Sequence, residues 1–134
     1  MEEVKKQGME SLFVPYEIAL ALKELGFDEP CFGYYNGQGN HIGEEGKMNS
    51  NCNKLGMHGA YCTVPLYQQA FRWFREKYKL QAEILWRGDM ECFCYKTGKF
   101  KYGSHDFSKD DFKTYEEAEQ ACLDKLIEIV KEKK

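Results

Sequence analysis

At 134 residues, with 43% hydrophobic and 15% aromatic side chains, the chain has the length of one globular domain and the apolar material for a core. Nine Tyr and nine Phe argue against disorder. The net charge of −3 excludes a global basic field for nucleic acid, so such a contact would need a local patch.

No run reaches the ~18 apolar residues of a membrane span. The opening MEEVKKQGMESLF has no signal-type apolar region, so a cytoplasmic location is expected, with no membrane partner. Cysteines stand at 31, 52, 62, 92, 94 and 122. In that compartment they read as reduced, mostly buried thiols.

The first element is a helix in VPYEIALALKELGF. Pro15 suits its first position, where a missing N–H is harmless. Ile18, Ala21, Leu22 and Leu25 share one face. Gly26 then supplies a left-handed cap, with Phe27 folding back on Leu22 as in a Schellman ending. In EPCFGYYNGQGNHI, the Asn36-Gly37 pair predicts a hairpin between strands at about 31–35 and 38–42. A Gly/Asn-rich loop follows at about 43–62, long enough to be functional, mobile or a plain insertion.

The second helix is PLYQQAFRWFREKYKL, with five aromatic and four basic side chains. Tyr67, Phe71, Phe74 and Tyr78 form one stripe. Leu66, Ala70, Trp73 and Lys77 form the next, giving a broad face for burial. Arg72, Arg75 and Lys79 make a basic edge. The aromatics read as core, and Trp73 beside Arg72 also offers a stacking surface with a cation for a phosphate.

AEILW at 82–86 reads as a strand, Arg87-Gly88-Asp89 as a turn, and MECFCYK as the return strand. Thr97-Gly98 is expected to close a further hairpin into KFKYG. Residues 103–113 read as a polar loop. The last helix starts at Thr114 with Glu117 completing a capping box, and buries Ala118, Cys122, Leu126 and Ile129. Glu116, Glu117 and Glu119 then suit the positive end of the helix dipole. The sum is one α+β domain over 1–134: an antiparallel sheet with three helices packed against it.

Motifs for chemistry are sparse. Cys92 and Cys94 share a strand face, and Cys52, His58 and Cys62 are the remaining conceivable zinc ligands. The spacing fits no standard knuckle, so no metal is expected and the cysteines read as small residues under a helix. GQGNHIG lacks the Lys-Ser/Thr ending of a phosphate loop. No nucleophile elbow or zinc-protease motif occurs, and no cofactor is expected.

ALKELGFDEPCFGYYN, PLYQQAFRWFREKYKL and TYEEAEQACLDKLIEIVK, roughly half of the chain, together resemble a family of short uncharacterised proteins of Bacteroides-type bacteria and their phages and prophages. The resemblance implies no catalytic residues. It implies a phage-type accessory protein of the kind that counters host defence.

The leading expectation is therefore a non-enzymatic binding protein. It would sequester a small nucleotide-like immune signal or block a host defence protein. The expected site is edged by Tyr34, Tyr35, Asn36 and His41 at the hairpin and by Arg72, Trp73 and Arg75 on the second helix, completed by a homodimer partner. One alternative is a structural interaction protein. Another is a nucleic-acid module, because the C-terminal half resembles a double-stranded-RNA-binding layout. The acidic start of the last helix opposes that reading.

Overall fold

A computed structural model describes residues 12–36, 38, 41–43, 62–99 and 105–132. The Gly/Asn-rich loop, Cys52 and His58 lie outside them. The chain divides into two compact units, Met1–Tyr67 and Gln68–Lys134. The α+β class holds, with three described helices and two antiparallel three-stranded sheets.

In the first unit, α1 (Tyr16–Glu24) follows Pro15, which is extended at φ −71° and ψ 165°. Pro15 is thus the N-cap, one position earlier than expected, and its carbonyl accepts the Ala19 N–H at 3.0 Å. The helix ends as predicted. Gly26 sits at φ 100°. Phe27 N–H donates to the Leu22 carbonyl at 2.9 Å and Gly26 N–H to that of Lys23 at 3.0 Å, the two bonds of a Schellman cap. Ile18, Ala19 and Leu22 are buried, while Ala21 is only half-buried.

β1 (Gly33–Tyr35) pairs with β2 (His41–Gly43), Tyr35 opposite His41. Asn36 does make the turn, because its Oδ1 accepts the Gln38 N–H at 2.9 Å. The connection nevertheless spans 36–40 rather than two residues, so β2 begins at 41. β3 (Cys62–Thr63) adds to the other edge of β1 and packs with α1. A two-residue strand has no alternation to read, and the sequence reading omits it.

In the second unit, α2 (Tyr67–Tyr78, its first residue closing the first unit) buries Ala70, Trp73 and Phe74 and exposes Arg72, Arg75 and Lys77. Lys79, in the left-handed region at φ 58°, joins it directly to β4 (Leu80–Arg87). β5 (Cys92–Lys99) pairs with β4 along its whole length. Thr97-Gly98 is therefore strand, not turn: Ala82 and Gln81 stand opposite and supply the ladder.

β6 (His105–Phe107) lies inside the stretch expected as loop and pairs with the other edge of β5. The chain then stays beside β5. Ser108 N–H donates to the Tyr95 carbonyl at 2.8 Å, and Phe93 and Phe112 exchange backbone bonds of 2.7 and 2.8 Å. Residues 109–111 lie between these contacts.

α3 (Tyr115–Glu132) packs on β5 and β4. Thr114 Oγ1 accepts the Glu117 N–H at 3.1 Å, the first half of the predicted capping box, while Glu117 Oε1 accepts from the Thr114 hydroxyl at 3.0 Å rather than from its backbone N–H. Ala118, Cys122 and Leu126 are buried as expected. Ile129 is not, and Leu123, Ile127 and Val130 are buried instead. Positions 118 and 129 run along one margin of the buried face. A short Ala buries completely there, whereas an Ile does not.

Phe93 touches Tyr115 of α3, so Phe93, Tyr95 and Thr97 face that helix. Cys92 and Cys94 therefore lie on the opposite face of β5, not under α3. Cys31, Cys62, Cys92, Cys94 and Cys122 are buried, and none of them is in a disulfide. No described helix is long and apolar enough to cross a membrane.

Candidate functional site

A groove of about 440 Å³ opens in the second unit between the helix-facing side of β5, the 106–112 segment and α3. Strand alternation puts Tyr95 and Thr97 on its floor. Phe112 stands beside Tyr95, the rings 6.1 Å apart and 23° from parallel. The 106–110 stretch brings Asp106, Lys109 and Asp110 to one wall, and α3 brings Lys125 and Glu128 to the other. Lys125 Nζ lies 3.4 Å from Glu128 Oε1.

The wall is shaped by Ser108. Its Oγ accepts the Tyr95 N–H at 3.1 Å and its hydroxyl donates to the Asp110 carbonyl at 2.9 Å. This side chain stands in for a backbone rung and turns the chain outward. It is committed to structure and is not poised as a nucleophile.

Burial pushes the Tyr95 hydroxyl above its ordinary pKa, and Cys122, Glu128, Asp110 and Asp124 add to the effect. The phenol therefore keeps its proton and stays a hydrogen-bond donor. An aromatic wall, hydroxyl donors and charges of both signs suit a small polar ligand with a planar ring and an anionic group. Among the described residues no three His, Cys, Asp or Glu side chains gather around a point where a metal could sit.

The residues expected from sequence fall into two sets, one in each unit. Tyr34 and Tyr35 are half-buried on β1, and His41 stands opposite Tyr35 on β2. Tyr35 is engaged: its hydroxyl donates to the Val14 carbonyl at 2.8 Å and its ring meets Tyr16 edge-on at 5.3 Å. Asn36 is spent on the turn. On α2, Arg72 Nε donates to Glu76 at 3.2 Å. Arg75 is exposed one turn on, and no described ion pair includes it.

Trp73, read from sequence both as core and as a stacking surface, is a core side chain, only 6% exposed. Phe74 and Tyr78 meet its ring edge-on and the Lys77 ammonium lies 5.0 Å over it.

Sequence reasoning misses the groove residues and the burial of Glu119. Of the three glutamates opening α3, Glu119 is 7% exposed, so it is not one of the solvated carboxylates at the helix start. Burial first, then Glu116, pushes its carboxyl up to about 7. Burial and then Glu119 push the neighbouring Cys122 thiol up to about 12, leaving it protonated and unreactive. The signal for the wall is Ser108 two residues before Asp110, a side-chain turn pattern hidden in a stretch that reads simply as polar. Compared with protein-family models, curated proteins and solved structures, the chain matches none.

Proposed function

We propose that the protein is a non-enzymatic binding protein that holds a small, nucleotide-like ligand in the groove of its second unit. The observation that supports this is the pairing of an aromatic wall, Tyr95 and Phe112, with lysines and carboxylates on facing walls. The rings suit a base, the lysines a phosphate, and the carboxylates and protonated phenol the hydroxyl and amino groups between them. The resemblance to phage-type accessory proteins supports a host defence signal as the ligand, sequestered rather than converted. Blocking a host defence protein is the same reading with a larger target.

Thermal shift and calorimetry against linear and cyclic nucleotides test it. A ligand should raise the melting temperature in a saturable way, by the mass-action stabilisation of the folded state. Lys125→Ala should weaken it by about 1–3 kcal/mol, the scale of a charge-assisted hydrogen bond. If Arg72→Ala and Arg75→Ala weaken binding and Lys125→Ala does not, the site is the basic edge of α2. No shift at millimolar ligand would sink the small-molecule reading. Native mass spectrometry would read any co-purifying ligand and the expected homodimer together.

A second reading has one observation in its favour. The order α2, β4, β5, β6, α3, with α3 on one face of an antiparallel sheet, follows a double-stranded-RNA-binding layout. Glu116 and Glu117 at the start of α3 stand where such a module wants cations. Gel shifts with duplex RNA over a salt series decide it, since phosphate contacts must weaken steeply with salt.

A further inference from the structure

We propose that an exposed aromatic row, Trp86, Phe93 and Tyr115, is a docking surface for a basic segment of a partner protein, one that presents a lysine or arginine to the rings. Trp86 and Phe93 are opposite one another at the turn end of the β4–β5 hairpin, their centroids 4.9 Å apart. Tyr115, the first residue of α3, meets Phe93 edge-on at 5.7 Å. Trp86 is 57% and Tyr115 40% exposed. A Cβ on Gly88 would lie 3.4 Å from Trp86 Nε1, so the turn backs the indole closely along that side. Met90, in the same turn, is also exposed.

The surroundings select the sign of the partner. Every exposed charged side chain on the two flanking segments, 88–91 and 115–119, is a carboxylate: Asp89, Glu91, Glu116 and Glu117. The nearest cations in sequence are Lys113 and Arg87. Strand alternation puts Arg87 on the sheet face opposite Trp86, and it pairs with Asp111 at 3.5 Å. Ring faces attract cations, and carboxylates beside them add to that attraction.

This chain already makes such a pairing internally, with the Lys77 ammonium 5.0 Å over Trp73. Three rings in line form a strip rather than an enclosed cavity, which suits side chains on a polypeptide better than a small molecule. The row is distinct from the groove residues, and the proposal does not depend on the groove holding a ligand.

The test is selection from a random-peptide library on the full-length protein, followed by calorimetry with the selected peptides. Enriched peptides should carry Lys or Arg. Their affinity should fall about tenfold in Trp86→Ala and in Tyr115→Ala, the scale of one partly desolvated cation–aromatic contact. Melting temperatures close to wild type would show that both variants remain folded. No enrichment of basic peptides, or binding unchanged in a folded Trp86→Ala, would overturn the proposal. So would self-association of the wild type that Trp86→Ala abolishes, because the row would then belong to a second copy of the chain.

Discussion

The second unit contains two aromatic triads, each built around one of the two tryptophans, and they meet opposite fates. Trp73, Phe74 and Tyr78 lie along α2, with Phe74 fully buried and Lys77 drawn over the indole. Trp86, Phe93 and Tyr115 join two strands to the first residue of a helix, and two of the three rings stay largely exposed. Ring chemistry is the same in both, so residue type does not decide burial. Position does. The first triad lies on the apolar face of an amphipathic helix. The second lies at the hairpin end of a sheet, where α3 is only beginning.

The sharpest way to break this comparison is to truncate one ring from each triad. Phe74→Ala should destabilise by about 3–5 kcal/mol, the range for emptying a packed aromatic site. Trp86→Ala should stay within roughly 1 kcal/mol, as for an exposed side chain. Urea unfolding followed by far-UV circular dichroism measures both. Comparable losses would mean that the exposed row is structural after all, and the docking proposal would lose its footing.

α3 carries the third ring of the open triad, and its buried face tests how it is anchored. Leu126→Ala should cost about 2–5 kcal/mol, because the side chain is fully buried. Ile129→Ala, at the margin of that face, should cost less than about 1.5 kcal/mol. Comparable losses at the two positions would restore Ile129 to the stripe read from sequence.

What was legible in the sequence is local chemistry. The Schellman ending at Gly26-Phe27 and the Thr114 cap on the Glu117 N–H each depend on residues within six positions, and both form. What was not legible depends on distant partners. Thr97-Gly98 looks like a turn in isolation, and only Ala82 and Gln81 opposite make it strand. β3 and β6 are too short to show alternation. The groove joins Tyr95, Asp110 and Lys125 from three separate stretches, each of which alone looks solvated or structural. Glu119 differs from Glu116 and Glu117 only in the direction it leaves the helix.

That buried carboxylate, one turn from Tyr115, makes folding stability depend on pH. Folded protein holds the Glu119 proton up to about pH 7, while the unfolded chain releases it near the ordinary 4.5. Between these values the folded state binds more protons, so stability falls as pH rises. The contribution is complete below about 4.5 and lost on passing 7. Glu116 adds repulsion from the same helix, Tyr115 and Cys122 are the other titratable neighbours, and no described ion pair includes Glu119. Melting temperatures between pH 5 and about 8 should therefore decline, and Glu119→Gln should flatten the decline. A slope unchanged in that variant would place the linkage elsewhere.

The smallest expected effect concerns the cation over the closed triad. Lys77 Nζ lies 5.0 Å from the Trp73 ring centre and 5.6 Å from that of Tyr78. Its stem can cover the rings without its charge, so two substitutions are needed to separate the contributions. Lys77→Met keeps an apolar stem and removes the ammonium, and should cost about 0.5–1 kcal/mol, the scale of an exposed cation–aromatic contact. Lys77→Ala removes the stem as well and should cost more. If Lys77→Met is neutral while Lys77→Ala is not, the closed triad is covered by hydrocarbon alone. The internal precedent for a cation on these rings would then disappear, and the case for a basic partner on Trp86, Phe93 and Tyr115 would rest on the flanking carboxylates.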